Sequence, residues 1–410
     1  MTLDCGLSTV DSFRATLSRM PLRLTTAGES HGPRLTAILE GIPAGLSIDP
    51  VFVNAELSRR QHGHGRGGRM KIEKDEALFE GGVRGGRTLG SPIAIGIANR
   101  DYANWRGVMG PLETDADAAK EKRLVRPRPG HADLAGGMKY GARDLRDVLE
   151  RASARESAAR VAGGAVCKLL LRECGIEIRS GVLSVGSAVD EHSPRSFASL
   201  ESVREDSPLR AIDPRVEERM VAAVDAAKKA GETLGGAILV GARGVPAGLG
   251  SYVSWDRKLD ARIGAALLSV PAVKAVELGS AIEASRGPGS LAHDEIEKGP
   301  DGNLRRRANR AGGLEGGVTN GEEVIAVLFM KPLSTLAKGL DSVDLETGEP
   351  SRSAYERSDV AAVPACGVIA EAMLAFILAD ALLELTGGDR LDDVAGRLAA
   401  HRERVARYPR

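Results

Sequence analysis

Aromatic residues are scarce in this sequence, and neither sign of charge is in excess. Phe, Trp and Tyr make up 3% of the 410 residues, and 56 Lys and Arg are balanced by 56 Asp and Glu. A chain with so few aromatic rings has to build its core from Ala, Val, Leu and Ile. A net charge of zero excludes a global field that would attract nucleic acid or a membrane surface, so any basic site has to be a local concentration.

Cysteine is also sparse, and no apolar run is expected to span a bilayer. The cysteines show no metal-ligand or redox spacing, which predicts free buried thiols in a reducing cytoplasm and no metal site. Residues 1–19 lack the basic and apolar regions of a signal peptide, so we expect a cytoplasmic protein. The four cysteines are Cys5, Cys167, Cys174 and Cys366.

Glycine is plentiful, and the 50 glycines occur in clusters that predict many tight turns and close backbone approaches. Strand and helix patterns alternate loosely, so we expect an α+β fold with 20–410 as a single domain and 1–19 as a loose extension or a misplaced start. Asp49 and Asp256 are expected to cap helices. The predicted strands cover about 35–39, 77–80, 92–98, 237–240 and 324–329. The predicted helices cover about 49–60, 144–174, 216–230, 256–270, 363–385 and 391–406.

Two motifs place a histidine in a turn of small residues or prolines. His31, within 28–33, is exposed to a ligand and can titrate near neutral pH, although a histidine that merely caps the following strand is the alternative. In 126–133, two prolines stiffen the approach to Arg128 and His131, and Asp133 can cap the next helix. A rigid surface turn is the alternative there.

The segment 59–69 is rich in Arg and Gly, so guanidinium groups and backbone N–H groups can reach one anion together. Gly63, Gly65 and Gly68 match G-x-G-x-x-G, but this motif follows a predicted helix, which argues against a dinucleotide site. A solvated loop or an RNA contact is the alternative. The zero net charge and the missing aromatic residues argue against RNA.

Three further segments carry residues that suit phosphate or proton chemistry. Arg151 and Arg155 lie four apart on the predicted long helix, hence on one face, where a salt-bridged surface is the usual meaning. The Gly-rich run 309–317, followed by Lys331 and two hydroxyl residues, suits a phosphate-bearing cofactor. Asp359 precedes a helix and can act either as a general base or as a helix-start residue.

In this order, the motifs resemble those of the chorismate synthase family over about residues 20–390. The resemblance implies a β-α-β sandwich, a homotetramer, and reduced FMN as cofactor with NADPH as an indirect reductant. It implies the 1,4-anti elimination of phosphate from 5-enolpyruvylshikimate 3-phosphate (EPSP), which gives chorismate in the shikimate pathway without net redox change. The matching blocks are 28–43, 126–133, 151–157, 309–317, 331–335 and 357–359.

The resemblance also implies roles for single residues. His31 protonates the leaving phosphate, His131 stabilises the charge of the reduced flavin, and Asp359 helps the flavin N5 accept the substrate proton. Arg60 and Arg66 also match a contact to an NADP phosphate. The residues implied to bind substrate are Arg60, Arg66, Arg69, Arg128, Arg155 and Arg357. The residues implied to bind FMN are Arg151, Ala152, Ser153, Ala272, Gly316, Lys331, Pro332, Leu333, Ser334, Thr335 and Arg357.

The chain departs from the family pattern at two places. Pro271-Ala272 stands where a flavin contact is often Asn or Gln followed by Ala, and His64 stands where an aromatic residue is frequent. Two other hypotheses stay open: a flavin- or nicotinamide-dependent oxidoreductase, which needs a strand–Gly-turn–helix unit, and an RNA-binding protein that uses the Arg/Gly loop. Because no βαβ unit surrounds the G-x-G-x-x-G, we expect an enzyme that depends on a separate flavin reductase.

Overall fold

A computed structural model of the chain describes residues 22–67, 74–300, 302, 304–356 and 358–408. The extension expected over 1–19 and the predicted substrate ligands Arg69 and Arg357 lie outside these residues.

The fold combines short and long strands with helices of very different length. The described strands are β1 (Arg23–Ala27), β2 (Arg34–Glu40), β3 (Leu78–Gly81), β4 (Val83–Arg84), β5 (Arg87–Thr88), β6 (Ile93–Ala98), β7 (Glu177–Val185), β8 (Ala188–Val189), β9 (Gly236–Arg243), β10 (Val273–Leu278), β11 (Ile296–Lys298), β12 (Leu304–Arg306), β13 (Leu314–Glu315), β14 (Val318–Thr319), β15 (Val324–Met330), β16 (Asp341–Val343) and β17 (Pro350–Arg352).

Three 3₁₀ turns, at Tyr102–Asn104, Ala154–Glu156 and Trp255–Arg257, accompany the described helices. The helices are α1 (Pro50–Gln61), α2 (Arg106–Met109), α3 (Ala116–Glu121), α4 (Asp133–Tyr140), α5 (Arg146–Ala152), α6 (Ser157–Glu173), α7 (Phe197–Glu201), α8 (Pro214–Lys229), α9 (Leu259–Leu268), α10 (Ala281–Ala284), α11 (Gly289–Ala292), α12 (Val363–Thr386) and α13 (Leu391–Ala406).

Two antiparallel sheets carry the fold, with the strand orders β1-β2-β6-β3 and β10-β15-β9-β7-β8. β2 alternates buried with half-buried residues, so one of its faces packs on the core. β15 is buried on both faces. Val324, Ala326 and Leu328 enter the main core, and Ile325 and Val327 enter a smaller core that includes residues of α7.

Helices α6 and α12 join the two sheets into one core. α6 packs against β1, β2 and β6, α12 packs against β7 and β9, and the two helices pack against each other. Their close approach needs a glycine, because a Cβ at Gly164 would lie 2.4 Å from the Cβ of Ala372. The main core is therefore continuous from the first sheet to the second, and the predicted α+β class is confirmed.

Several local predictions hold. Asp49 caps α1 as expected, since its carboxylate accepts from the backbone N–H groups of Val51 and Phe52. The three cysteines in the described residues are free and buried. Burial raises the pKa of Cys366 to about 12 and that of Cys174 to about 11, so both thiols are inert near neutral pH.

The long helix predicted over 144–174 is wrong, because the helical path breaks at Ser153. This residue has an extended backbone, with ψ 140°, and its Oγ accepts from the N–H of Arg155 at 3.3 Å. Serine favours such caps over a helix interior. α5 therefore ends before it, and α6 begins at Ser157.

Two other expectations are also corrected. Asp256 does not cap a helix: it lies in a 3₁₀ turn, where it accepts from the Ser254 hydroxyl, and α9 begins only at Leu259. The expectation that no apolar run is long enough to span a bilayer is wrong for α12. This helix alone among the described helices is long and apolar enough to cross a membrane. Its most apolar window is nevertheless 78% buried inside the protein, where it packs on α6 and the second sheet.

Candidate active site

His31 lies in the turn between β1 and β2, and this turn is docked on α5. The N–H of Ser30 donates to the backbone oxygen of Glu150 at 2.9 Å, and the N–H of His31 donates to the Glu150 carboxylate at 2.8 Å. The Nδ1 of His31 lies 2.9 Å from the same carboxylate. The ring stacks on Trp105 with centroids 3.8 Å apart. These contacts fix the imidazole ring of His31 in place, and they differ from those of a histidine that merely caps the following strand.

Glu150 belongs to a chain of paired charges. Arg146 donates to it at 3.1 Å and donates through its other terminal nitrogen to Glu356 at 2.8 Å. Burial opposes ionisation of Glu150, but the hydrogen bonds from His31 and the charges of His31 and Arg146 outweigh it and hold its pKa below the ordinary value. The carboxylate is therefore ionised beside the imidazole at neutral pH.

Arg60, at the end of α1, and Arg155, after the break at Ser153, converge on Asp75. The two Asp75 oxygens accept from Arg60 at 2.6 Å and from Arg155 at 2.5 Å, and all three residues are buried. Burial opposes ionisation of Asp75, but the two guanidinium charges outweigh it and hold its pKa below the ordinary value. Burial also lowers the pKa of Arg60, as do the nearby charges of Arg155 and Arg66.

Asp359 pairs with Arg66 at 2.7 Å and accepts from the N–H of Gly67 at 2.6 Å. It does not cap α12, whose N-cap is Ala362 without any side-chain cap. The helix-start interpretation of Asp359 is therefore wrong. Its carboxylate instead ties the glycine-rich loop after α1 to the segment before α12.

His131 lies in a second cluster with Arg128 and Asp133. The Asp133 carboxylate accepts from Arg128 at 2.8 Å and lies 2.6 Å from the His131 Nδ1, and Arg128 also donates to Thr335 at 2.8 Å. Burial opposes ionisation of Asp133, but hydrogen bonds from His131 and Arg128 hold its pKa well below the ordinary value. The expectation that Asp133 caps α4 is wrong, since the N-cap is Ala132.

Lys331 and Ser334 lie beside this second cluster. Both side chains donate to the backbone oxygen of Gly130, at 3.0 and 2.7 Å. Burial and the charge of Lys274 lower the pKa of Lys331, so an anion bound beside it would stabilise its charged form. These residues, with Pro332 and its neighbours, line an open cavity of about 230 Å³.

Two carboxylates that are close in the sequence pair with different clusters: Glu356 pairs with Arg146 of the His31 cluster, and Asp359 pairs with Arg66. The His131 cluster is tied to the same region through backbone contacts, in which Ala354 N–H donates to the oxygen of Arg126 at 3.1 Å. The structure thus brings Arg60, Arg66 and Arg155 together and places Arg128 in a neighbouring cluster.

The other predicted flavin ligands are spread around these clusters. Arg151 does not share a helix face with Arg155, because the break at Ser153 separates them. Arg151 is exposed and donates to the backbone oxygens of Thr26 and Gly28. Arg155 is buried. Ala152 is exposed at the end of α5. Ser153 donates to the Ser30 hydroxyl at 3.2 Å, which joins the Arg155 turn to the His31 turn.

Two further groups of flavin candidates lie beside strands of the second sheet: Ala272 precedes β10, and Lys331–Thr335 follow β15. The N–H of Lys331 donates to the oxygen of Ala272 at 2.9 Å, so these two candidates are neighbours, and Leu333 accepts from the Thr233 hydroxyl at 2.7 Å. Gly316 lies in the β13–β14 turn. The backbone oxygen of the next residue, Gly317, accepts from the N–H groups of Ser251 and Leu259.

The carboxylates that hold the site were missed from the sequence. No sequence motif singles out Glu150 or Asp75, and the sequence predicts that Asp133 caps a helix. Glu150 is 119 residues from His31, and Asp75 is 80 residues from Arg155, so no local spacing connects them. The available signal was physical: arginines gathered in a buried site need carboxylate partners.

The fold and this site together define an α+β protein in which two histidines are held by carboxylates near clustered arginines, an arrangement suited to binding an anion and moving protons. Comparison with known families shows which one. The family model described as chorismate synthase matches residues 22–383. The chain belongs to the chorismate synthase family, as its motifs indicated.

Individual relatives support the same assignment over almost the whole chain. The chorismate synthase of Geobacillus kaustophilus is 51% identical over 388 residues, which cover 94% of this chain and 99% of that protein. The chorismate synthase of Acidothermus cellulolyticus is 51% identical over 385 residues, which cover 93% and 98%. A solved crystal structure of a chorismate synthase superimposes with a TM-score of 0.76 at 43% identity and covers 94% of this chain and 99% of that one.

Proposed function

We propose that this chain carries out the reaction of its family at the site described above: it is a lyase that eliminates phosphate from EPSP and so forms chorismate. The observation that carries this assignment is the convergence of two buried guanidinium groups, those of Arg60 and Arg155, on the single carboxylate of Asp75. One carboxylate leaves a positive charge in excess in this buried cluster, and a bound polyanion would compensate that charge. EPSP, with two carboxylates and a phosphate, is such an anion.

Arg60 adds a second reason to expect a ligand there. Its Nε is buried and has no hydrogen-bond partner in the described part of the chain. A buried donor without an acceptor costs free energy, which a ligand oxygen recovers.

Reduced FMN is the proposed cofactor, and the residues around Gly130 fit its phosphate. The Lys331 ammonium and the Ser334 hydroxyl line the open cavity beside Gly130. Next to Ser334 in the chain, the Thr335 hydroxyl accepts from the buried Arg128 guanidinium. When bound, reduced FMN would supply electron density transiently and recover it, so that there is no net redox change. His131, held by Asp133, would stabilise the negative charge of the reduced flavin.

His31 delivers a proton to the leaving phosphate from its Nε2, because its Nδ1 is held by Glu150. Asp359 helps to pass on the proton that the substrate loses, a role that its pairing with Arg66 at 2.7 Å supports. The arginines neutralise the substrate in a water-poor site, where fixed charges act most strongly.

The architecture, assembly and supply of electrons are proposed with the function. The packing of α6 on the first sheet and α12 on the second supports the β-α-β sandwich of the family. We also propose a cytoplasmic homotetramer built from one catalytic domain per chain, supplied with reduced flavin by a separate reductase, with NADPH as an indirect source.

The two alternative functions have less support. Every pairing between the named described strands is antiparallel, whereas a dinucleotide-binding βαβ unit needs parallel strands. Arg60 and Arg66 pair with Asp75 and Asp359 in the interior, whereas RNA-binding arginines have to reach phosphates at the surface.

The decisive experiment is an anaerobic assay of the purified chain with EPSP and dithionite-reduced FMN. We expect chorismate and inorganic phosphate in equal amounts, and none with oxidised FMN alone. If a protein that binds FMN and EPSP releases neither product under reducing conditions, the proposed activity is wrong.

A further inference from the structure

Glu150 is a carboxylate outside the set of residues that the family motifs single out. Its side chain has 0% exposure, and it contacts both the backbone N–H and the ring of His31. An ionised carboxylate can only accept hydrogen bonds, so the His31 Nδ1 carries a proton in this contact. A buried carboxylate that binds one ring nitrogen this way fixes the tautomer of the imidazole.

The same geometry leaves the other ring nitrogen for a ligand. In the part of the chain that the structure describes, the Nε2 of His31 has no hydrogen-bond partner. Trp105 covers the ring at a centroid distance of 3.8 Å and an interplanar angle of 27°, which restricts rotation of the imidazole. Contacts on Nδ1 and on one ring face thus hold Nε2 in one direction.

Arg146 also contacts Glu150. It donates to the Glu150 carboxylate and to Glu356, and its guanidinium lies 5.3 Å over the Trp105 ring. Asp101 accepts from the Trp105 indole N–H at 3.2 Å. Glu150 is the carboxylate that contacts the ring itself.

We propose that Glu150 is the positioning residue of His31, and that it holds Nδ1–H so that Nε2 faces the leaving phosphate. This inference rests on the proposed function, in which His31 is the general acid. In the overall elimination, the C–O bond to phosphate and one C–H bond of the substrate break, a C=C bond forms, and the electron pair of the C–O bond leaves with the phosphate. The His31 imidazolium gives its Nε2 proton to a phosphate oxygen, and the proton from the C–H bond leaves on the side of Asp359. The neutral imidazole that remains keeps its proton on Nδ1, against an ionised Glu150.

A first test needs neither substrate nor flavin. The chain has two tryptophans, and Trp255 is 82% exposed, so Trp255→Phe leaves Trp105 as the only indole reporter. Its emission follows the charge of the stacked His31 ring during a pH titration. In this background, Glu150→Gln is expected to move the midpoint to lower pH by about 1 unit or more, because an anion no longer stabilises the imidazolium.

An unchanged midpoint in Glu150→Gln would overturn the inference. Because the titration is done on the free protein, this outcome is distinguishable from failure of the proposed EPSP chemistry. The titration of Trp105 has to disappear in His31→Ala, which establishes that the signal comes from this ring.

The second test is kinetic. Glu150→Gln is expected to lower kcat about 10²-fold, the scale of a misdirected general acid, with KM within about two-fold of the parent. In a His31→Ala background, the same substitution is expected to have almost no further effect, because both changes remove one function. Losses that multiply in the double variant would show that Glu150 acts elsewhere.

The matched control is Glu217→Gln on α8. Glu217 is also buried and accepts from the N–H of Leu209 at 3.0 Å, but it is remote from His31 in the contacts described, so its kcat is expected to stay normal. If Glu150→Gln does not fold, Glu150→Asp keeps the charge that Arg146 needs. The shorter carboxylate cannot hold both partners, so kcat is expected to fall at least ~10-fold, and a wild-type kcat would overturn the proposal.

Discussion

At the scale of single residues, the candidate site is organised by carboxylates. His31 lies against Glu150, His131 lies against Asp133, and Arg60 shares Asp75 with Arg155. Each carboxylate has its pKa held below the ordinary value despite burial. Such pairs direct a ring nitrogen or a guanidinium toward a ligand, although they contribute little net stability.

Replacing either His31 or His131 by Ala is expected to cut turnover by roughly 10²-fold or more, the usual scale for a general acid–base group. The fold and FMN binding are expected to survive, as measured by melting temperature and flavin titration. His192→Ala, at an exposed position away from both clusters, is the control and is expected to turn over normally. Near-normal turnover in both site variants would contradict their assignment.

Asp359→Asn is expected to abolish most of the turnover with little change in melting temperature, because it removes the base and keeps the size of the side chain. Asp213→Asn is the matched control, since Asp213 is a true helix cap on α8 and Asn caps nearly as well. The opposite pattern for Asp359→Asn, a lower melting temperature with normal turnover, would make its role structural.

At the scale of secondary-structure elements, the contact between α6 and α12 decides how the two halves of the core meet. A side chain at Gly164 would also lie 2.7 Å from the Cα of Ala372, so the helices touch through backbone. α1 packs on both of these helices and ends at the arginines of the site. The ion pair from Arg59 to Glu371 on α12 fastens α1 there, and so does Lys168 on α6, which pairs with both Glu56 of α1 and Glu371.

Gly164→Ala is expected to destabilise the protein by about 1–3 kcal/mol, because the added methyl overlaps the facing helix. Gly264→Ala on α9 is the matched control. A Cβ there meets nothing within 4 Å, so the change is expected to stabilise the helix by about 0.5–1 kcal/mol. Denaturant midpoints measure both, and equal stabilities would show that α6 and α12 are further apart than described.

At the scale of the whole molecule, the two antiparallel sheets share one continuous main core with the helices packed on them. The family match begins at residue 22 and ends at residue 383, within α12. The G-x-G-x-x-G motif starts at Gly63, directly after α1, so it does not connect a strand to a helix. The arginines nearby can bind a phosphate, but they do not position a nicotinamide against a flavin.

We therefore predict that the enzyme does not reduce its own flavin. Chorismate formation is expected with chemically reduced FMN or with an added flavin reductase, and oxygen is expected to inhibit by oxidising the flavin. Sustained EPSP turnover by the purified protein supplied only with oxidised FMN and NADPH would refute this prediction. The reductase-coupled reaction is the positive control that the enzyme preparation is active.

The sequence by itself determined the features that depend on neighbours along the chain. The cap at Asp49, the β2 and β15 strands and the α+β class all follow from local pattern, and the order of the motifs identified the family. Local pattern failed at Ser153, where one serine has the propensity of a cap but lies in a run of helix formers. Only its hydrogen bonds to Arg155 and Ser30 decided that the helix breaks there.

Only the tertiary structure decided which charged groups meet. Glu150 and His31 come together across 119 residues, and Arg128 and Thr335 across 207. The reason is physical: periodicity and capping act within a few residues, whereas a buried charge is satisfied by whichever partner the packing of sheets and helices places next to it.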